Sequence, residues 1–174
     1  MKWSSCDQPI KEGSVELRWD YTLLKAIIFD LGNTLIQQDD GRAFPHAIEV
    51  LTQLKNQYKL AIISNVLPTT TADVVHELLR EAQLFDFFDV IVVSSEVEIS
   101  KPNPRIFEIV LDELNVKPEE AVMIGNTIST DIFGGNRVGM KTVLIQIGQE
   151  YQRSEWENPD HTIHDLKALL ELII

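Results

Sequence analysis

The sequence is poor in the features that mark secreted or membrane-spanning proteins. Cys6 is the only cysteine, which excludes a disulfide within the chain and a zinc site built from cysteines. No stretch approaches the roughly 18 apolar residues of a membrane-spanning helix. The first residues, among them Lys2, Trp3 and Asp7, contain no apolar run of signal-peptide length. We therefore expect a cytoplasmic protein without a membrane partner.

Basic residues are also scarce. The 174 residues include 15 lysines and arginines against 27 aspartates and glutamates, which gives a net charge of −12. Such a charge opposes long-range attraction to nucleic acid or to an anionic membrane. A local anion site remains possible, because one lysine and a few backbone amides can be focused in a pocket whatever the net charge. The expected partner is a phosphorylated substrate, either a small molecule or a macromolecule.

Short runs of β-forming residues alternate with amphipathic stretches along most of the chain. This alternation predicts an α/β fold, a parallel sheet with right-handed crossovers and helices on both faces. No linker composition is evident, so we expect residues 25–174 to form a single domain and residues 1–24 to form an N-terminal arm or edge strand. The predicted strands are Ala26–Phe29, Leu60–Ile63, Val90–Val93, Ala121–Ile124 and Thr142–Ile145.

The predicted helices occupy the segments between these strands. One begins near Thr71 or Asp73, with an apolar stripe that includes Val74, Leu78 and Leu79. Another begins at Pro104, where the missing amide hydrogen of proline costs nothing. The remaining helices are expected at Phe44–Tyr58, from Asp131 through Gly135, and at Leu166–Ile174.

Polar side chains follow the predicted strands at the points where they end. Asp30 follows the first strand, Ser64 the second, and the loop from Asn126 to Asp131 the fourth. Lys101 enters from the loop after the third strand. Ligands of open α/β sheets bind at the carboxyl ends of the strands, so these groups are candidates for one site. The alternatives are that Asp30 only caps a turn and that Lys101 is a surface lysine.

A carboxylate, a hydroxyl, a cation and a second carboxylate together favour phosphoryl transfer, in which catalysis consists mostly of positioning and charge neutralisation. Asp30 would be the nucleophile that forms an aspartyl-phosphate. Ser64 and nearby amides would hold the phosphoryl oxygens, and Lys101 would supply a compact positive charge. Mg²⁺ is the expected cofactor, because a hard ion prefers carboxylate and carbonyl oxygens and shares the substrate phosphate.

Four ordered segments resemble the motifs of the haloacid dehalogenase (HAD) superfamily of hydrolases, over about residues 25–147. They are Phe29–Leu35 (FDLGNTL), Ser64–Asn65, Ser100–Pro104 (SKPNP) with Phe107, and Gly125–Asn126 with Asp131–Ile132 and Gly139–Met140. The resemblance implies a Rossmann-like three-layer fold with a five-stranded sheet in the order 5-4-1-2-3, and usually a Mg²⁺-dependent phosphatase.

The resemblance also implies a role for each matching residue. It assigns catalysis to Asp30, Ser64, Lys101 and Asp131. Phosphate binding falls to Asn33, Thr34, Ser64, Asn65 and Lys101. The implied metal ligands are Asp30, the carbonyl of Gly32, Asn126 and Asp131.

Two positions depart from the family pattern. Phosphatases of the family usually carry a second aspartate two residues after the nucleophile, as general acid and base, where this chain has Gly32. Asn126 replaces a common metal-binding aspartate and brings an oxygen without a charge. Two alternatives to a phosphatase therefore stay open: a non-catalytic binding or regulatory domain, and a metal-independent hydrolase of the dehalogenase type.

The cap that carries substrate specificity in many members is nearly absent. Asp30 and Ser64 are 64 − 30 = 34 positions apart, and a helix and a strand use most of them, which leaves about residues 36–43 as a flap. We expect an open site for large substrates, or a lid from another subunit of a homo-oligomer. Asp39 and Asp40 of the flap are candidates to touch substrate or metal, or belong to a solvated turn. His161 and His164 are expected at a solvated helix start rather than in a metal site.

Overall fold

The protein, described by a computed structural model for residues 23–146 and 157–174, contains one parallel sheet of six strands in the order β3-β2-β1-β4-β5-β6. The predicted order 5-4-1-2-3 is confirmed, and a sixth strand extends the sheet beyond β5. The strands are β1 (Ala26–Phe29), β2 (Lys59–Ser64), β3 (Val90–Val93), β4 (Ala121–Gly125), β5 (Lys141–Ile145) and β6 (His161–Ile163).

The central strand β1 is buried on both faces, as its four apolar residues predict. Phe29 pairs with Ile62 of β2 and with Ile124 of β4. The three central strands therefore end almost level with one another. The residues that directly follow them are brought to one edge of the sheet, and the candidate site lies at that edge.

Helices cover both faces of the sheet, as predicted. Ile27 and Phe29 of β1 pack in one core cluster with side chains of α1, α2 and α6, whereas Ala26 and Ile28 pack on the other face against α4. The helices are α1 (Ala47–Lys55), α2 (Ala72–Glu81), the single turn α3 (Ser94–Val97), α4 (Pro104–Leu114), α5 (Phe133–Val138) and α6 (Ala168–Ile173). Within the described residues, none of the helices combines the length and the apolar character needed to cross a bilayer.

Two local predictions differ from the structure, and a third lies outside the described residues. The region of His161 and His164 was predicted as a helix start, but His161 opens strand β6, which pairs with Val143 of β5. Val74 was predicted on the buried stripe of α2, yet it is exposed and its neighbour Val75 is buried. The predicted arm of residues 1–24 lies outside the described residues, apart from 23 and 24.

Candidate active site

The carboxyl edge of the sheet forms the floor of a cavity of about 670 Å³. Asp30 directly follows β1, Ser64 is the last residue of β2, and Asn126 directly follows β4. Lys101 reaches the same cavity from the segment between α3 and α4. The structure brings all the predicted site residues to this edge, and all of them except Thr34 and Asp131 line the cavity.

Lys101 is the buried centre of the site. Its ammonium group lies 2.7 Å from Oδ1 of Asp30, 2.8 Å from Oδ1 of Asp131 and 2.8 Å from the carbonyl oxygen of Ile63. These three acceptors match the three donors of an ammonium group. Burial alone would lower the pKa of Lys101, but the charges of Asp131 and Asp30 outweigh burial and raise it. Lys101 is therefore a fixed positive charge beside Asp30.

Asp131 lies behind Lys101, away from the cavity. Its Oδ2 accepts a hydrogen bond of 2.9 Å from the amide of Thr127, and the hydroxyl of Thr130 lies 3.3 Å from Oδ1. Burial raises the pKa of Asp131, although the charge of Lys101 opposes the shift. A π-helical turn, Ile128–Ile132, carries the residue. A Cβ at Gly125 would collide with this carboxylate, so the glycine makes room for it.

Asn65 fixes the backbone of Lys101. Its Oδ1 accepts a bond of 2.9 Å from the amide of Lys101, and its Nδ2 donates one of 2.9 Å to the carbonyl of the same residue. From the sequence, the position of Asn65 after β2 predicts only that the residue belongs to the site. Its two bonds favour a role in holding Lys101 over direct phosphate binding.

Two side-chain oxygens near the Thr34 hydroxyl are the candidate ligands for a metal ion in this site. The Thr34 hydroxyl donates to Oδ2 of Asp30 at 3.1 Å and lies 3.4 Å from Oδ1 of Asn126. A carboxylate and an amide oxygen therefore face the same point, and both are ligands that Mg²⁺ accepts. Among the described residues, no group of three or more histidine, cysteine, aspartate or glutamate side chains is placed to hold a metal ion. An octahedral ion held by these two oxygens would keep several waters.

The segment after Asp30 is shaped by Asn33 and Gln38. Asn33 adopts a left-handed backbone conformation, with φ of 56°. Its Nδ2 donates to Oε1 of Gln38 at 2.9 Å, and its Oδ1 accepts a bond of 3.2 Å from the amide of Gln38. Sequence reasoning missed Gln38, because nothing in the flap sequence distinguishes it from Gln37. The pair ties the flap to the loop that carries Asp30.

Other side chains of the described residues do not fill the space beside Gly32, where phosphatases of the family usually have a second aspartate. A Cβ built on Gly32 would have only one neighbouring atom within 4 Å, Nε2 of Gln38 at 4.0 Å. Gly32 itself lines the cavity beside Asp30. Asp40 of the flap also lines the cavity, but its Oδ1 accepts a bond of 3.0 Å from the amide of Arg42 and its Oδ2 lies 3.5 Å from Nε of the same residue. Asp39 does not line the cavity.

The sequence profile of the haloacid dehalogenase-like hydrolases matches residues 33–145. Among solved structures, the fold is similar to that of a HAD phosphatase from Thermococcus onnurineus, with a TM-score of 0.72 over 86% of this chain and 98% of the other, at 22% identity. The profile covers most of the described chain and includes Ser64, Lys101 and Asp131.

Two curated relatives are phosphatases by name. The chain is 36% identical over 135 residues to a glyceraldehyde 3-phosphate phosphatase of Pyrococcus furiosus, covering 76% of this chain and 55% of the relative. It is 34% identical over 127 residues to pyrophosphatase PpaX of Halalkalibacterium halodurans, covering 71% and 56%. The chain thus spans about half the length of the curated relatives it matches.

Proposed function

This chain belongs to the family of haloacid dehalogenase-like hydrolases, and from that premise we propose that it hydrolyses phosphate monoesters through an aspartyl-phosphate on Asp30. One observation carries the proposal. A carboxylate at the floor of an open cavity lies 2.7 Å from the ammonium group of Lys101, which has almost no contact with solvent. A charge fixed in this way neutralises negative charge on transferring phosphoryl oxygens without reorganising during the reaction.

The proposed reaction has two displacements at phosphorus. In the first, one oxygen of Asp30 attacks the phosphorus, and the bond from phosphorus to the leaving-group oxygen breaks. The leaving group takes a proton from solvent water, because Gly32 provides no acid. In the second, water attacks the phosphorus and gives up a proton to solvent water, the bond to Asp30 breaks, and inorganic phosphate leaves.

Lys101, Ser64 and backbone amides orient the phosphoryl group in this scheme. Lys101 acts on the phosphoryl oxygens through its charge, because its three donors are bonded to Asp30, Asp131 and the Ile63 carbonyl. Ser64 offers a hydroxyl at the end of β2. Asp131 acts through Lys101, because its Oδ1 bonds the ammonium group at 2.8 Å and its Oδ2 bonds a backbone amide. We therefore infer that Asp131 is a positioning residue rather than a direct metal ligand.

We propose Mg²⁺ as the cofactor, held by the Asp30 carboxylate, the Asn126 amide oxygen and the Gly32 carbonyl. When bound, the ion supplies positive charge that offsets repulsion between Asp30 and the substrate phosphate. Because Asn126 contributes no charge, we expect weaker binding of the ion than with two carboxylates. The proposal is supported by the two oxygens that face Thr34.

The experiment is hydrolysis of p-nitrophenyl phosphate with Mg²⁺ by the parent protein and by Asp30→Asn. We expect the variant to lose activity by at least roughly 1,000-fold, since the amide cannot act as the nucleophile. Asp39→Asn is the matched control, because Asp39 is exposed and does not line the cavity. Equal turnover by parent and Asp30→Asn, or no turnover by the parent, contradicts the proposal. Metal-independent halide release from 2-haloacids would favour the dehalogenase alternative instead.

We also propose the cytoplasm as the place of action, supported by the single Cys6, which makes the fold independent of intrachain disulfides. The prediction is unchanged folding and activity in the presence of a reductant.

A further inference from the structure

The cavity above Asp30 has two unlike sides. Its floor is polar and contains the groups already described. Apolar side chains from the flap, from the segment after β2 and from α2 also line the cavity, together with polar residues of the flap. The apolar ones are Ile36, Val66, Val74, Val75 and Leu78. The two sides suit the two halves of a phosphate ester, a charged phosphoryl group and an organic leaving group.

Val74, Leu78 and Val66 are the apolar lining residues with solvent exposure, and Val74 and Leu78 belong to the same helix. They are four residues apart on α2, so they lie on the same face of the helix. Val74 is 58% exposed, although it belongs to a helix whose next residue, Val75, is buried in the core. Leu78 extends to the flap, where its Cδ1 would lie 3.0 Å from a Cβ on Gly41. The apolar surface of Val74 and Leu78 thus extends from solvent to Gly41 of the flap, along the wall of the cavity.

The charges along the cavity disfavour a second anionic group. Among the described residues that line it, Lys101 is the only basic one, and its ammonium group is already bonded to Asp30, Asp131 and a carbonyl. The other charged lining residues, Asp30 and Asp40, are both acidic. A carboxylate or second phosphate on the leaving group would meet like charges, and Arg42 of the flap, which does not line the cavity, is already paired with Asp40 at 3.5 Å.

We infer that the cavity selects phosphate monoesters with an uncharged leaving group that packs an apolar face on Val74 and Leu78. This inference rests on the proposed function and names its substrate class. Aryl and branched alkyl phosphates belong to that class, and pyrophosphate, whose leaving group is itself charged, does not.

The test compares kcat/KM for phenyl phosphate and 3-carboxyphenyl phosphate, which differ in charge but have phenolic leaving groups of similar acidity. The parent protein should prefer phenyl phosphate by at least about 10-fold, the order expected for a like charge at a few ångströms near a surface. Val74→Lys adds a cation at the apolar wall. It should lower kcat/KM for phenyl phosphate by about 3- to 10-fold and raise it for the carboxylated ester.

Ile48→Lys is the matched control, because Ile48 is an apolar residue on α1, 44% exposed, that does not line the cavity. It adds the same charge and should leave the ratio of the two kcat/KM values unchanged. Both positions are exposed, so both variants should fold, which circular dichroism verifies.

The inference is overturned if the parent does not distinguish the two esters, or if Val74→Lys and Ile48→Lys change the ratio equally. Turnover of p-nitrophenyl phosphate that needs Asp30, together with either result, would leave the proposed function standing. Failure to cleave any of the three esters would instead remove the proposed function, and this inference with it.

Discussion

Gly32 leaves room for the carboxylate that the site lacks. A Cβ on Gly32 would have no neighbour nearer than Nε2 of Gln38 at 4.0 Å, so Gly32→Asp should be accommodated. The new acid can protonate a leaving group, a form of catalysis worth roughly 100- to 10,000-fold. We expect kcat for phenyl phosphate to rise by at least about 100-fold, with a much smaller rise for p-nitrophenyl phosphate, whose leaving group needs no proton. Steady-state kinetics with both esters measures this difference.

Gly32→Asn is the control for that substitution, since it adds nearly the same volume without an acid. An equal gain from Gly32→Asn, or an equal gain on both esters, would show that acid catalysis is not the cause.

The placement of the candidate residues at one edge of the sheet was predictable from sequence, but most of their contacts were not. Asp30, Ser64 and Asn126 each follow a strand, and the ends of parallel strands meet at one edge. The bond of Lys101 to Asp131 depends on a π-helical turn and on the absent side chain of Gly125, and neither has a periodic pattern. The bond between Asn33 and Gln38 likewise depends on one residue with a positive φ.

At the scale of elements, Asp89 lies just before β3 and connects it to β2 and α1. Its Oδ2 accepts a bond of 2.8 Å from the amide of Leu60 in β2, and its Oδ1 lies 2.7 Å from the ammonium of Lys55 in α1. Partial burial alone would raise the pKa of Asp89, but the bonds from Lys55 and from the Leu60 amide lower it. The ionised carboxylate therefore stabilises the folded state.

The sign of the pH dependence follows from that lowered pKa. The stabilisation is present above the unfolded pKa of an aspartate and is lost as the pH falls through the lower folded value. Asp89→Asn should reduce the free energy of unfolding by about 1 kcal/mol at pH 7, a small value because the side chain is partly exposed. The difference from the parent should shrink as the pH is lowered towards about 2. Urea unfolding at both pH values measures it, and a difference that grows in acid would contradict the assignment.

Elements with strong patterns were predictable, and those without were not. The helix predicted from Pro104 to about Leu114 has these bounds in α4, where Asn103 caps the first turn by accepting a bond of 3.0 Å from the amide of Arg105. Strand β6 has only three residues, of which Ile163 alone is buried, so it carries no alternation that a sequence window detects. Its place is set by pairing with β5.

At the scale of the whole molecule, β6 and α6 lie beyond the residues that the family profile matches, yet they belong to the same core. Tyr58 donates a bond of 3.3 Å to the carbonyl of Ile173, which joins the end of α6 to the segment after α1. Lys167 pairs with Glu49 of α1 at 3.5 Å. We propose from these contacts that residues 25–174 fold as one domain.

A chain truncated after Gln146 tests whether β6 and α6 belong to the same domain as the other elements. Among the residues of this segment that the structure describes, 157–174, the truncation removes four buried side chains, Ile163, Leu166, Leu169 and Ile173. Each contributes about 1.5 to 3 kcal/mol through burial, and together they contribute roughly 6 to 12 kcal/mol, which is as large as the roughly 5 to 15 kcal/mol of a typical domain. We expect the shortened chain to lose its cooperative thermal transition in circular dichroism. Removal of Ile174 alone, which is 61% exposed, should leave Tm nearly unchanged. A cooperative transition near the parent Tm in the shortened chain would show that β6 and α6 are an appendage, because a single domain that loses these four core side chains should lose stability.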